Sequence, residues 1–326
     1  MPQPALHVLI AHDLLDGWRR SPALAPFDIA SPQAANHFFH GSLGPDIGFF
    51  PGGDTRLSGL VHTGGAVEVA RRLMDTARTD AERAFAWGWI SHVLADVEVH
   101  PIIDAAADAL LRAEGATATD PASRMIAHVR IEVGLDAWHV RHRSARRALR
   151  LRHALGPDRI GWLGHALATT YGLRIHDQRL LASHRGVTRW YQGHLRLLAW
   201  IAAEHAGERR AAALLMKSLR AIASRIAAVH SPVRGFVATI APTPDLLARV
   251  QAGLARVTSA FARHVESRLS RLQEFDLETG RPAEASAYTA GNAVGRVSIG
   301  PAERPPVQSA GSSRAITASV KLSVVP

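Results

Sequence analysis

Apolar positions recur every three to four residues along most of the chain, and nowhere does a sustained alternation of period two appear. That pattern predicts helices over Leu6–Arg20, Ala66–Thr76 and Asp80–His100, with Asp80 as the N-cap of the last. An Ala-rich helix follows over Asp104–Glu114, closed by Gly115. Another begins at Asp120–Pro121 and runs to about Leu155, where Gly156–Pro157 stops it. Further helices are predicted over Arg159–Tyr171, Asp177–Ser183, Thr188–Ala206, Arg209–Val229, Thr243–Ala252 and Leu254–Phe275. Between Ser31 and Gly65 the density of Gly, Pro, Asp and His predicts loops. Glu278–Pro326 is rich in Gly, Ser, Ala, Pro and Thr, which reads as a disordered tail rather than an appended strand pair. The fold class is all-α: one helical domain over residues 1–275, then a low-complexity tail over 276–326.

One helix carries polar residues where packing alone would place apolar ones. In AWGWISHVLADVEVHP, Ala86–Pro101, the residues His92, Asp96 and His100 fall at i, i+4 and i+8 on one face, flanked by Trp89, Val93 and Val97. Burying three such groups unpaired costs several kcal/mol, so the register points to metal ligation. A second helix repeats the pattern: in RMIAHVRIEVGLDAWHV, Arg124–Val140, His128, Glu132 and Asp136 share a face. Asp46, in the loop GSLGPDIGFFPGG, and His62, in LVHTGG, add an oxygen and a nitrogen donor, enough in total for two or three ions. Zinc suits mixed imidazole and carboxylate donors, and manganese or iron also fit these residue types.

Composition narrows the chemistry. There are no cysteines, so disulfides and thiolate sites are excluded and any metal must be held by nitrogen and oxygen. Hydrophobic residues make up 47% of the 326, ample for a core, yet no run of about 18 uncharged apolar residues exists to span a membrane. The N-terminus has neither a basic region nor a small-residue cleavage site, and a cytoplasmic protein is expected. The net charge of +10 rests on arginine, since only Lys217 and Lys321 are lysine. Arg141–Arg152, RHRSARRALRLR, is the densest basic run. It reads either as a solvated helical face or as a surface for anionic headgroups or nucleic acid phosphates.

The blocks GSLGPDIGFF, LVHTGG, GWISHVLADVEVHP and HVRIEVGLD, in that order, resemble the zinc-dependent phospholipase C family and the related zinc-dependent single-strand nucleases. The resemblance covers about Ala5–Val140. It implies an all-helical fold around a trinuclear metal cluster. It assigns Asp46, His62, His92 and Asp96 to a first zinc, with Asp96 reaching a third, and His100, His128 and Glu132 to a second. His7 falls on the third ion. His12 is a further candidate there, balanced by a surface position on the first helix. Two departures qualify the transfer. Six residues precede His7, where secreted members use a processed first residue as a ligand. The four-residue step from Asp96 to His100 resembles the leaderless branch and the glycosylphosphatidylinositol-cleaving phospholipase D relatives.

The activity implied is phosphodiester hydrolysis by metal-activated water, with Asp46 orienting that water or taking its proton. The leading substrate is a phospholipid headgroup or a small phosphodiester; the short His-Pro form of the central motif leans towards lipid, and no aromatic series for base stacking is evident. A single-strand nuclease, or a helical protein with structural metals, are the alternatives. Phe49 and Phe50 are read as core or as the mouth of the site. Asp136 is read as an acceptor for a ligand imidazole or as an intrahelical partner of a nearby arginine.

Overall fold

The computed structural model describes residues 4–283, apart from 116–119, 143–150, 152–154 and most of 209–237. Among the described residues the chain is built from helices α1 (Pro4–Arg20), α2 (Pro32–Gly41), α3 (Thr55–Thr63), α4 (Ala66–Thr76), α5 (Asp80–Ala113), α6 (Pro121–His142), α7 (Pro157–Tyr171), α8 (Asp177–His205) and α9 (Pro244–Glu266), with a 3-10 turn at Pro22–Leu24. A ribbon of two short antiparallel strands, β1 (Phe275–Asp276) and β2 (Arg281–Pro282), pairs Phe275 with Pro282 and Asp276 with Arg281. The all-α class holds. No described helix is long and apolar enough to cross a membrane.

Helix α5 is the axis, packed against α1, α2, α4, α6 and α9. Its N-cap is Thr79, not Asp80. The Thr79 hydroxyl accepts from the Glu82 amide at 3.2 Å while the Glu82 carboxylate accepts from the Thr79 amide at 2.9 Å, a reciprocal capping box. The helix also runs straight through the break expected at His100–Pro101. A proline inside a helix leaves the carbonyl four residues earlier without its donor. Here Gly280, at φ +67°, lies against that exposed turn: a Cβ on it would stand 2.6 Å from the Val97 oxygen and 2.7 Å from a Pro101 ring carbon.

The stretch read as loops holds two helices. Ser31 caps α2 by accepting from the Ala34 amide at 3.2 Å, with Pro32 in the first turn, and Asp54 caps α3 through the Arg56 amide at 3.1 Å. Helix α2 meets α5 at glycines on both sides. A Cβ on Gly41 would lie 2.0 Å from the Phe85 carbonyl oxygen, and one on Gly88 would lie 2.1 Å from that of Phe38. The two backbones therefore touch, which brings the C-terminus of α2 beside the turn of α5 that carries His92. Helices α8 and α9 are each continuous where two were expected. The predicted extension of α6 beyond His142 and the predicted helix at Arg209–Val229 lie largely outside the described residues.

Candidate metal centre

The eight residues singled out by spacing and resemblance come together at the middle of α5. His7 arrives on α1, Asp46 on the turns after α2, His62 on the last turn of α3, and His128 and Glu132 on α6; His92, Asp96 and His100 belong to α5 itself. Their donor atoms form three convergent groups, each within 4.8 Å: His7, His92 and Asp96; Asp46, His62 and His92; and His100, His128 and Glu132. Asp96 ties the groups to one another. Its Oδ1 lies 3.3 Å from His7 Nε2 and 3.6 Å from His100 Nε2, and its Oδ2 lies 2.9 Å from His92 Nε2 and 3.6 Å from His62 Nε2. Asp46 Oδ1 is 3.2 Å from His62 Nε2, and Glu132 Oε1 is 2.9 Å from His128 Nε2 and 3.6 Å from His100 Nε2. All but His128 are buried, and His128 is partly so.

Four of the five imidazoles are held from behind. Nδ1 of His62 meets the Ser58 carbonyl at 2.8 Å, that of His92 the Ser42 carbonyl at 2.9 Å, and that of His100 the Leu277 carbonyl at 2.5 Å; His128 Nδ1 meets Asp104 Oδ1 at 2.9 Å. A carbonyl accepts only, so in the first three rings Nδ1 carries the proton and, in the neutral tautomer, Nε2 presents a lone pair to the centre. His7 differs. Its ring stacks on His92 with centroids 3.8 Å apart, and its Nδ1 has no partner.

This geometry leaves lone pairs facing lone pairs. His62 Nε2, His92 Nε2, Asp96 Oδ2, Glu132 Oε2 and both oxygens of Asp46 are buried without a hydrogen-bond partner. The 2.9 Å approach of His92 Nε2 to Asp96 Oδ2 is close without hydrogen-bond alignment, as when two donors aim at a common third point. Buried acceptors in such numbers need positive charge among them. In the protein alone only protons can supply it, and the acid–base balance shows the demand. Burial would lower the pKa of His100, but the Asp96 carboxylate and then Glu132 raise it to about 10. Burial would raise the pKa of Asp96, but His92, His100 and His7 hold it well below the usual carboxylate range. A divalent cation meets the same demand with the nitrogen and oxygen donors that zinc accepts. The residues fit the metal.

The family model for zinc-dependent phospholipase C matches residues 6–179. The chain belongs to the zinc-dependent phospholipase C family. Neither the curated proteins nor the solved structures compared with it gave a match. The family match spans every residue of the three convergent groups, while α8 beyond Arg179, α9 and the β ribbon lie outside it.

Around the family centre the structure sorts the remaining candidates. Phe50 is buried and packs edge-on against Trp190 at 5.5 Å, whereas Phe49 stands half-buried with its ring 5.3 Å from His62. His12 packs on Phe39 at 4.2 Å and joins none of the convergent groups. Asp136 takes neither expected partner. Its oxygens accept from the amides of Ala5 at 3.1 Å and Leu6 at 3.0 Å, in the first turn of α1. Of the basic run, Arg141 forms a fork on Glu208, and most of the rest lies outside the described residues. Asp104 behind His128 and the Leu277 carbonyl behind His100 went unread in the sequence. Asp104 could have been found, because it lies on the ligand face of α5 at i+4 from His100.

Proposed function

We propose that the chain is a zinc-dependent phosphodiester hydrolase of the phospholipase C type, acting on the headgroup ester of a phospholipid. The observation that carries this reading is the set of buried, unpartnered Nε2 and carboxylate oxygen atoms converging on three points around Asp96, in a chain of this family. In the proposal His62, His92, Asp46 and Asp96 hold one ion, His100, His128 and Glu132 a second, and His7 with Asp96 a third. Zinc bound in such a site supplies Lewis acidity, lowering the pKa of water towards neutrality and offsetting the charge that builds on phosphoryl oxygens.

The chain's own residues do the rest. Asp46 is fully buried with neither oxygen hydrogen-bonded, which leaves it an acceptor able to orient the attacking water and to take its proton. The carbonyls of Ser42 and Ser58 and the carboxylate of Asp104 keep the imidazole rings from turning as charge develops. The hollow beside His7 and His100 is walled by Leu6, Ala95 and Val99, and Phe49 lies on the His62 side. Apolar walls of this kind exclude bulk water from the centre. They offer no stack of aromatic faces for a strand of bases.

Metal analysis of the purified protein comes first, and two to three zinc equivalents per chain are expected. Parallel assays on phosphatidylcholine vesicles, bis-p-nitrophenyl phosphate and single-stranded DNA then follow, with zinc titrated into stripped protein. Hydrolysis of phosphatidylcholine that needs zinc, and that vanishes in His92→Ala and Asp96→Ala together with bound metal, supports the proposal. Cleavage of DNA with lipid untouched replaces the substrate by nucleic acid. Full activity in stripped protein or in Asp96→Ala overturns the mechanism.

A further inference from the structure

We infer that the segment Glu274–Gly280 is a strap that positions the imidazole of His100, so that the centre is completed from a part of the chain outside the family match. The inference rests on the metal reading above and names a device that serves it. Leu277 is its pivot. The Leu277 amide donates to the carbonyl of His62 at 2.7 Å, and the Leu277 carbonyl accepts from His100 Nδ1 at 2.5 Å. One residue thus bonds to two of the proposed ligand residues, one on α3 and one on α5. It does so across 177 residues of chain in the second case.

The strap is pinned on both sides of that pivot. Before it, the Glu274 carboxylate accepts from the amides of Val67 at 3.1 Å and Glu68 at 2.5 Å, capping α4 just beyond the turn that follows His62. Arg71 donates to the Leu272 carbonyl. After it, Gly280 rests on the Val97 carbonyl and the Pro101 ring, where no side chain fits. The Ala283 amide closes the ribbon on the Glu274 carbonyl at 3.0 Å, and the Leu277 side chain is fully buried. Pro101 follows His100 directly, so the strap covers the point where α5 has lost a backbone bond and braces the ring beside it.

The carbonyl sets the His100 tautomer, keeping the proton on Nδ1 and the Nε2 lone pair towards Asp96 and Glu132. Without it the ring can turn and offer either nitrogen. Partners of this sort are worth about 10- to 100-fold in metal affinity. Linkage is reciprocal, so metal bound through His100 must in turn steady the strap.

The test uses full-length protein stripped with a chelator and reloaded with zinc. In Gly280→Val the new side chain strikes Val97 and Pro101 and lifts the strap. Gly115→Ala is the control, with a similar φ of +69° but open space around it. One zinc equivalent is expected to weaken by about 10- to 100-fold in Gly280→Val and not in the control. His100→Ala is expected to remove the same equivalent, with Gly280→Val adding nothing in the double variant. Hydrogen exchange at the Leu277 amide supplies a readout that needs no strap variant: zinc slows it in the wild type, and less in His100→Ala, where only the ion held through His62 still steadies that amide. Unchanged zinc affinity in folded Gly280→Val, or Leu277 exchange indifferent to zinc in a wild type that binds it, overturns the strap. Should Gly280→Val fail to fold, the exchange measurement decides. A wild type that binds no zinc overturns the metal reading, and the strap with it.

Discussion

Asp136 serves the centre without touching it. Its two oxygens take the amides of Ala5 and Leu6, so the first turn of α1 is fixed just before His7. Alanine there leaves two buried amides without partners, at about 1–3 kcal/mol each. The melting temperature of Asp136→Ala is expected to fall by roughly 5–10 °C, with weaker binding of the ion assigned to His7. Asp136→Asn keeps an acceptor and should recover part of both losses. Thermal melts and metal analysis check this, and unchanged zinc content in Asp136→Ala would limit its role to holding the helix. The contrast with the proposed ligands is physical. His92, Asp96, His100, His128 and Glu132 were legible because helical spacing puts residues four apart on one face, and burying such groups calls for an explanation. Asp136 is held by main-chain amides some 130 residues away, with His194 Nε2 3.6 Å from Oδ2, and a backbone amide leaves no trace in the sequence.

At the scale of elements, legibility followed the strength of local signals. Helices α1 and α4 stood out because periodicity and boundaries agreed. Helices α2 and α3 were hidden, although Ser31–Pro32 and Asp54 are ordinary start signals, because Gly, Pro and His diluted the apolar pattern around them. The breaks expected in α5 and α8 failed for a tertiary reason: Gly280 braces the turn at Pro101, and Gly186 lets α8 approach the Pro51 carbonyl. That contact helps seat α8 on α2, where the rings of His184 and His40 lie 4.8 Å apart with His37 near. Burial, followed by the neighbouring His40 and His37, holds the His184 pKa well below its ordinary 6.5. The folded state therefore keeps His184 neutral where the unfolded chain would take a proton. The unfolded state binds more protons below pH 6.5, so stability is complete above that pH and declines as pH falls beneath it. His184→Gln is expected to flatten the fall in melting temperature between pH 7 and pH 5. Parallel pH slopes for the variant and the wild type would remove His184 as the cause.

For the whole molecule, the centre would act, once loaded with metal, as a cross-link. Its proposed ligands come from α1, the loop before α3, α3 itself, α5 and α6, and the ribbon braces it from behind, so elements far apart in sequence meet at one set of ions. An ion that binds the folded chain and not the unfolded one stabilises it by mass action, by about 4 kcal/mol when free metal is a thousand times its dissociation constant. Without metal the same side chains remain a knot of buried charge that must share protons, with His100 raised to about 10 and Asp96 held low. Chelation should therefore lower the melting temperature by roughly 10 °C or more, and the loss should grow as residual zinc is reduced. Zinc should restore it. Magnesium should not, because it prefers six oxygen ligands and keeps its waters, whereas this site offers imidazoles. Calorimetry of stripped, zinc-loaded and magnesium-treated protein makes the comparison. A melting temperature indifferent to all three treatments would mean that shared protons alone satisfy the knot. The convergence of donors around Asp96 would then be a feature of the core and not a metal centre.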